Sequence, residues 1–298
     1  MLITKAHFSD GSLQHPALSA ISPSALRETV EALAFPRHYE ANREANECAR
    51  DWIFEKLCDL GFHVGLQGDY DNVIADSQKP SENSTILVGA HYDTVPGTPG
   101  ADDNNSAISV CLEAAKVLSR HAEVPLTVAV FNREEDGLLG SSDFVRSLGP
   151  SIRNTISEAH IFEMVGYYTD VANSQSKPAN MPIPIPDVGN FIGIISNSSS
   201  NKIASRVLRS ASSIEISTPL ISLKTFLGME KLFRDLLRSD HTPFWQAGVP
   251  ALMWTDTSNF RNPHYHAPTD TPETLDYEAL ADVTRILVGH ILLSSNTS

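Results

Sequence analysis

Residues 84–93 read Ser84-Thr85-Ile86-Leu87-Val88-Gly89-Ala90-His91-Tyr92-Asp93. A short apolar run leading into polar residues predicts a buried strand, with His91 standing at its end. That is where open α/β sheets gather their ligands. The next acidic stretch, Ala101-Asp102-Asp103-Asn104-Asn105, offers a carboxylate at Asp103, and His91 with Asp103 reads as half of a metal site. Asp102 is expected to be an exposed neighbour of Asp103.

Similar runs recur on either side. Asn72-Val73-Ile74-Ala75, Leu126 to Phe131 and His160-Ile161-Phe162 read as strands, Ser106 to Leu118 and Ser141 to Leu148 as helices. Residues 23–60 read as helical, with Pro23 in a first turn behind Ser22 and apolar positions at Leu26, Val30 and Leu33, then Ala49, Trp52, Ile53, Leu57 and Leu60. Gly61 closes the second of these helices. The alternation predicts the α/β class, with a mixed, mostly parallel central sheet and helices on both faces. With 298 residues, no internal repeat and no long linker, a single domain over 1–298 is expected. Two irregular loops should rim its site. One lies near 169–190, where Pro178, Pro182, Pro184 and Pro186 exclude helix and central strand; the other lies near 222–240, where Glu230 to Leu237 suggests only a short helix.

Composition excludes several classes of function. The chain carries 36 acidic against 22 basic residues, a formal charge of -14, so a nucleic-acid partner is not expected. Hydrophobic residues make up 41% and charged residues 19%, which argues against disorder, and no run approaches the roughly 18 apolar residues of a membrane span. Cys48, Cys58 and Cys111 have no CxxC spacing, and the first two fall on one helix, too far apart to bridge. The N-terminal residues lack the apolar core of a signal peptide, so a cytoplasmic location is expected and the sequons at Asn83 and Asn197 carry no information.

Three later segments supply chemistry. The strand ending at Phe131 runs into Glu134-Glu135-Asp136-Gly137, the strand His160-Ile161-Phe162 delivers Glu163, and Asn262-Pro263-His264-Tyr265-His266 brings a second imidazole. Adjacent residues on extended backbone point in different directions, so one of Glu134 and Glu135 can bind metal while the other faces substrate. His91, Asp103, Glu135, Glu163 and His266 are then two imidazoles and three carboxylates, enough for two divalent ions if one carboxylate bridges. Such donors suit zinc, and also cobalt or manganese. Glu134, left unligated, is placed to take a proton from a water held between the ions. Asp93, two residues from His91 on the same strand face, has the alternation to accept the ligand's other N–H; for His266 the candidate partners are Asp240 and Asp270.

Each of these residues has a plainer reading in isolation. A lone histidine is more often a core or surface residue than a ligand, and paired acids favour a helix N-terminus. Glu163 is harder to read plainly, because a carboxylate flanked by Phe162 and Met164 is costly to bury without a partner. His264 is an alternative ligand to His266, and His241 reads as structural or rim-lining.

His91-Tyr92-Asp93 with Gly100-Ala101-Asp102-Asp103-Asn104, Glu134-Glu135-Asp136-Gly137-Leu138-Leu139-Gly140-Ser141, Phe162-Glu163-Met164-Val165-Gly166, Ser239-Asp240-His241, and Tyr265-His266 with Asp270-Thr271 resemble the di-zinc aminopeptidases. These are co-catalytic zinc exopeptidases of the aminopeptidase Y and bacterial leucyl aminopeptidase type, and the likeness runs over roughly residues 25–290. It implies that His91 and Glu163 hold one zinc and Glu135 and His266 the other, with Asp103 bridging. It also implies Glu134 as general base and Tyr265 as hydroxyl donor to the oxyanion. Glu163 departs from the aspartate that many secreted members carry there.

The expected activity is therefore a two-zinc exopeptidase, an aminopeptidase acting on peptide substrates. Two alternatives are a glutaminyl cyclase-like single-zinc aminoacyltransferase and a zinc carboxypeptidase. The second needs a cation for the terminal carboxylate, for which Arg234, Arg238 and Arg261 are available.

Overall fold

A computed structural model describes residues 1–6, 12–77, 85–122, 124–149, 153, 155–179, 181 and 183–295; Asn83, Ser84 and Pro182 lie outside them. In chain order the elements are β1 (Leu2–Lys5), α1 (Pro16–Ser19), α2 (Pro23–Leu33), α3 (Arg43–Asp59), β2 (His63–Gln67), β3 (Asn72–Asp76), β4 (Thr85–His91), α4 (Ala107–His121), β5 (Leu126–Phe131), α5 (Leu139–Ser147), β6 (Ile156–Phe162), β7 (Ile192–Ser196), α6 (Asn201–Ala211), β8 (Leu220–Lys224), α7 (His241–Gln246), β9 (Ala251–Thr255) and α8 (Tyr277–Ser295).

The strands form one sheet in the order β1-β8-β7-β9-β6-β4-β5-β3-β2. Its core, β5-β4-β6-β9, is parallel throughout. The flanks are antiparallel at β7–β9, β1–β8, β3–β5 and β2–β3, and parallel again at β7–β8. Five strands, β1, β2, β7, β8 and β9, extend the sheet beyond those read from the sequence. Residues 222–224, expected to open an irregular loop, are instead the end of β8, and the two short turns of 3-10 helix that follow are Met229–Leu232 and Arg234–Leu237.

Period-two alternation divides the central strands between two helical layers. Ile86, Val88 and Ala90 of β4 and Leu126, Val128 and Val130 of β5 join the cluster that holds Leu26, Val30 and Leu33 of α2, Ile53 of α3 and Ile286 of α8. Leu87, Ala129 and Phe131 face the other way, onto Phe144 of α5 and Phe244 of α7. Strands buried on both faces are what a continuous apolar run predicts. In α2, Ser22 accepts the N–H of Ala25 and Pro23 fills the first turn. At the end of α3, Gly61 (φ 85°) donates to Cys58 and Phe62 to Leu57, the paired 5→2 and 6→1 bonds of a Schellman cap. Among the described residues no helix is long and apolar enough to cross a membrane.

Candidate metal centre

Because the core strands run parallel, their carboxyl ends meet along one edge of the sheet. His91 closes β4, Glu134 and Glu135 follow β5, and Glu163 follows β6. Two further segments close over this edge, the turn at 101–106 and the stretch leading to His266.

Asp103 joins the two halves. Its Oδ1 lies 3.2 Å from His91 Nε2, and its Oδ2 lies 3.2 Å from His266 Nε2. Glu163 Oε2 is 3.5 Å from His91 Nε2, and Glu135 Oε1 is 3.2 Å from His266 Nε2. Two donor groups result, His91, Asp103 and Glu163, and Asp103, Glu135 and His266, sharing one carboxylate. Two donors bound tetrahedrally to zinc at about 2.0–2.1 Å would be about 3.3–3.4 Å apart, close to these separations. Protonation tells the same way. His91 Nδ1 faces the carbonyl oxygen of Asp93 at 3.2 Å and its Oδ1 at 3.5 Å, both acceptors, so in the neutral ring that a metal requires the proton stays on Nδ1 and Nε2 is the nitrogen left for a cation. His91 Nε2, Asp103 Oδ1 and Glu135 Oε1 are all buried without a hydrogen-bond partner. The donor set thus fits a divalent cation of the zinc type.

The electrostatics are those of acids crowded together away from water. Burial first, then the neighbouring Glu163 charge, raises the Glu134 carboxyl well above its usual range. Burial likewise lifts Glu135 to about 7, with Asp103 adding to the effect. Burial alone would depress His91, but the carboxylates of Glu163 and Glu134 outweigh it and raise its pKa well above the ordinary imidazole value. His266, pulled down by burial, is carried up to about 10 by Asp103 and Glu135. Asp103 is held below the ordinary carboxylate range because its two imidazoles overcome the cost of burial.

Supporting contacts fix the donors. The Asp93 carboxylate accepts the backbone N–H of Glu134 at 3.1 Å and of Glu135 at 3.2 Å. Ser239 Oγ donates to Glu163 Oε2 at 2.8 Å. Arg37, fully buried, donates to the carbonyls of Leu33, Phe35, Tyr92, Pro99 and Gly100, and so ties α2 to the loop between His91 and Asp103. The sequence assigned no role to Ser239 or Arg37, although Ser239 stands in Ser239-Asp240-His241, one of the segments that carry the resemblance.

Three expectations change. Asp102 is not exposed: it is fully buried, accepts the N–H of Gly166 and the side-chain N–H of Asn262, and is raised well above its usual pKa by burial and by Asp256. Residues 103 and 104 leave helical geometry within the turn, so the adjacent carboxylates of Asp102 and Asp103 serve opposite sides of it. Asp270 does not serve His266; its two oxygens accept the backbone N–H of Asp102 and Asp103 at 2.9 and 3.1 Å. Asp240 does not serve it either: it is buried, which pushes it up to about 7, and the groups that oppose that rise are His91, in the other donor group, and the Ser141 hydroxyl. His264 stands apart from both donor groups, with Nδ1 3.0 Å from Thr269 Oγ1, and His241 is buried against the Leu236 carbonyl.

A third cluster, Glu158, His160 and His290, has a metal-like composition. Its hydrogen bonds say otherwise. Trp254 Nε1–H can only donate, and it points at His160 Nδ1 from 3.1 Å, so the neutral imidazole keeps its proton on Nε2 and offers no lone pair there. Glu158 is already held by Arg206 at 2.7 Å and His290 at 2.9 Å. The cluster is a buried ion-pair network linking β6 to α6 and α8.

A cavity of about 490 Å³ opens beside the centre. Glu134, Glu135, Glu163, Arg238, Tyr265 and His266 are among its polar lining, and Met181, Ile183, Ile195, Leu223, Met253 and Phe260 among its apolar lining. Met181 and Ile183 come from the proline-rich segment, which packs over Ile3, Ile195 and Leu223.

Residues 72–291 match the model of Peptidase family M28. An Escherichia coli K12 protein, the uncharacterized protein YfbL, is 32% identical over 287 residues, 88% of this chain and 85% of its own length. Aminopeptidase YwaD of Bacillus subtilis is 31% identical over 200 residues, 65% of this chain, but the match spans only 38% of YwaD. Among solved structures, the LapA aminopeptidase of Legionella pneumophila superposes with a TM-score of 0.73 at 18% identity, over 96% of this chain and 75% of that one. BSAP, a zinc aminopeptidase from Bacillus subtilis, gives 0.58 at 26% identity, over 75% of this chain and 50% of that one. Porphyromonas gingivalis glutaminyl cyclase gives 0.67 at 18% identity, over 92% and 99%. At such identities LapA and the cyclase share the fold with this chain.

Proposed function

The chain belongs to peptidase family M28, and on that premise we propose that it is a two-zinc aminopeptidase, one peptidase domain that removes apolar N-terminal residues from peptides. The observation that carries the reading is Asp103, which divides its two oxygens between two separate imidazole–carboxylate groups. Two complete donor sets favour a pair of ions over the single ion of a cyclase. His91 and Glu163 would hold one, Glu135 and His266 the other, and Asp103 both. When bound, the ions supply Lewis acidity toward the attacking water and the scissile carbonyl.

The remaining chemistry belongs to side chains of this chain. Glu134 is buried 4.0 Å from His91 Nε2 and next to Glu135 without being part of either donor group, and burial with the Glu163 charge raises its carboxyl above the ordinary range, which strengthens it as a proton acceptor. It takes the proton from the attacking water and passes it to the departing amine nitrogen. Tyr265 lines the same cavity, and its O–H donates a hydrogen bond to the carbonyl oxygen as that atom gains charge. Glu134, Glu135 and Glu163 outnumber the single guanidinium of Arg238 here, which favours a substrate's ammonium group over a terminal carboxylate. The apolar wall favours a large aliphatic or aromatic first side chain.

Carboxypeptidase activity fits less well. Arg261 is buried and bonded to Gln175 Oε1 and the carbonyls of Tyr167 and Phe191, and so is withheld from substrate, while Arg238, which does line the cavity, already donates to Tyr265 Oη and Asn259 Oδ1. The test is metal analysis combined with hydrolysis of leucyl p-nitroanilide, an N-acetylated peptide with a free carboxylate, and an N-terminal glutaminyl peptide, each with and without chelator. The reading expects two zinc ions per chain and chelator-sensitive release from the leucyl substrate alone. One ion with cyclisation of the glutaminyl peptide, or hydrolysis that survives complete metal removal, would overturn it.

A further inference from the structure

Arg238 directly precedes Ser239 and lines the cavity. Its Nη2 donates to Tyr265 Oη at 2.8 Å and its Nη1 to Asn259 Oδ1 at 2.8 Å, with Asp235 Oδ1 3.5 Å away. Tyr265 in turn stacks on the His266 imidazole, ring centroids 3.7 Å apart and planes 19° from parallel. The phenol is therefore gripped twice, through its face by a candidate ligand and through its oxygen by a guanidinium.

A guanidinium has donors and no acceptor, so Tyr265 Oη accepts from Arg238 and cannot spend its own proton on that contact. A phenolic O–H lies in the ring plane and has two favoured directions; with the guanidinium against one side of the oxygen, the proton turns to the other. A charged donor also polarises the hydroxyl it binds and strengthens that hydroxyl as a donor in turn. We propose that Arg238 is a positioning residue for peptide hydrolysis: it orients and polarises the Tyr265 hydroxyl so that its proton faces the position where the scissile carbonyl oxygen becomes an oxyanion. The inference rests on the aminopeptidase reading above. It also gives Arg238 a use different from that of a receptor for a peptide's terminal carboxylate. Asn259 and Asp235 serve the same end, holding the fork that Tyr265 leans on.

A double-mutant cycle on the zinc-loaded enzyme tests it, using Arg238→Met, Tyr265→Phe, the pair together, and Arg238→Lys. Leucyl p-nitroanilide turnover is measured alongside inhibition by leucine boronic acid, a tetrahedral mimic, and by isoamylamine, which fills the apolar wall without an oxyanion. Tyr265→Phe should lower kcat about 100-fold, as loss of one oxyanion donor does. Arg238→Met should lower it about 10- to 100-fold with KM nearly unchanged, and the double variant should be no slower than Tyr265→Phe. Boronic acid binding should weaken in both single variants while isoamylamine binding and zinc content hold. Arg238→Lys, which keeps the charge but not the fork, should recover part of the loss.

Costs that multiply in the double variant would overturn the proposal, as would an Arg238→Met defect confined to KM for peptides with a free carboxylate. If Tyr265→Phe is impaired and Arg238→Met turns over normally, the positioning role alone fails. If Tyr265→Phe turns over normally, the oxyanion role assigned to Tyr265 in the aminopeptidase reading fails with it. Unfolding of Arg238→Met is covered by Arg238→Lys, whose full activity in a folded, zinc-loaded enzyme would show that charge without the fork suffices and would also count against positioning.

Discussion

Asp93 accepts the backbone N–H of Glu134 at 3.1 Å through the same carboxylate whose Oδ1 lies 3.5 Å from His91 Nδ1. One residue therefore holds the Nδ1 proton of a candidate ligand on β4, through its carbonyl at 3.2 Å with its carboxylate beside it, and through that carboxylate sets the path of the turn that carries the proposed base after β5. Replacing Asp93 with Asn puts an NH₂ group where an acceptor is needed, against either the Glu134 or the Glu135 amide. Zinc affinity should fall about 10- to 100-fold, the usual cost of losing a ligand's outer partner. Competition with a chromogenic chelator measures it, and an unchanged dissociation constant would mean that the bond does not orient His91.

Glu134→Gln keeps shape and hydrogen bonding but cannot take a proton. Hydrolysis should fall by about 100- to 10,000-fold while both zinc ions are retained, because Glu134 belongs to neither donor group. Turnover near the wild-type rate would remove Glu134 as the base. Loss of zinc in this variant would instead place it among the ligands.

Met181→Ala and Ile183→Ala take wall from the apolar part of the cavity contributed by the proline-rich segment. Each buried methylene contact is worth about 0.8 kcal/mol, so the kcat/KM ratio of phenylalanyl to alanyl substrates should drop about 10-fold for the pair. A wild-type enzyme that prefers glycyl or lysyl substrates would contradict the apolar assignment before any variant is made.

These predictions draw on parts of the molecule that differ in how far the sequence exposes them. His91, Glu135 and Glu163 were legible because each follows an apolar strand, so local pattern both places the residue and orients it toward the sheet edge. Asp102 was not, because its direction depends on a turn whose residues 103 and 104 leave helical geometry, and on Asn262, 160 positions away. Glu158 with His290, separated by 132 residues, shows the same difficulty: nothing local to either marks the pair. The sheet's parallel core followed from the strand–helix alternation, while its antiparallel flanks arise from strands too short or too mixed to announce a direction. Arg238 was readable as a cation near the late motifs, but its attachment to Tyr265 depends on how two loops approach.

His241 supplies a pH dependence whose sign is fixed by its surroundings. It is fully buried in α7, its Nε2 lies 2.9 Å from the Leu236 carbonyl, and its Nδ1 has no partner. The carbonyl holds the one proton of the neutral ring on Nε2. Charging the ring would then bury a second N–H without an acceptor, and burial depresses the pKa to about 4. In the unfolded chain the group titrates near its ordinary value of about 6.5. Between these values the unfolded state binds more protons, so stability is fully present above about pH 6.5, falls as pH drops toward 4 and levels off below it. The loss should approach about 3 kcal/mol. Denaturant midpoints of the chelated protein near pH 7.5 and pH 4.5, compared between wild type and His241→Gln, isolate this contribution, because the other acids titrate in both proteins. The variant should lose less stability on acidification. An equal loss would show that His241 is not held neutral by the fold.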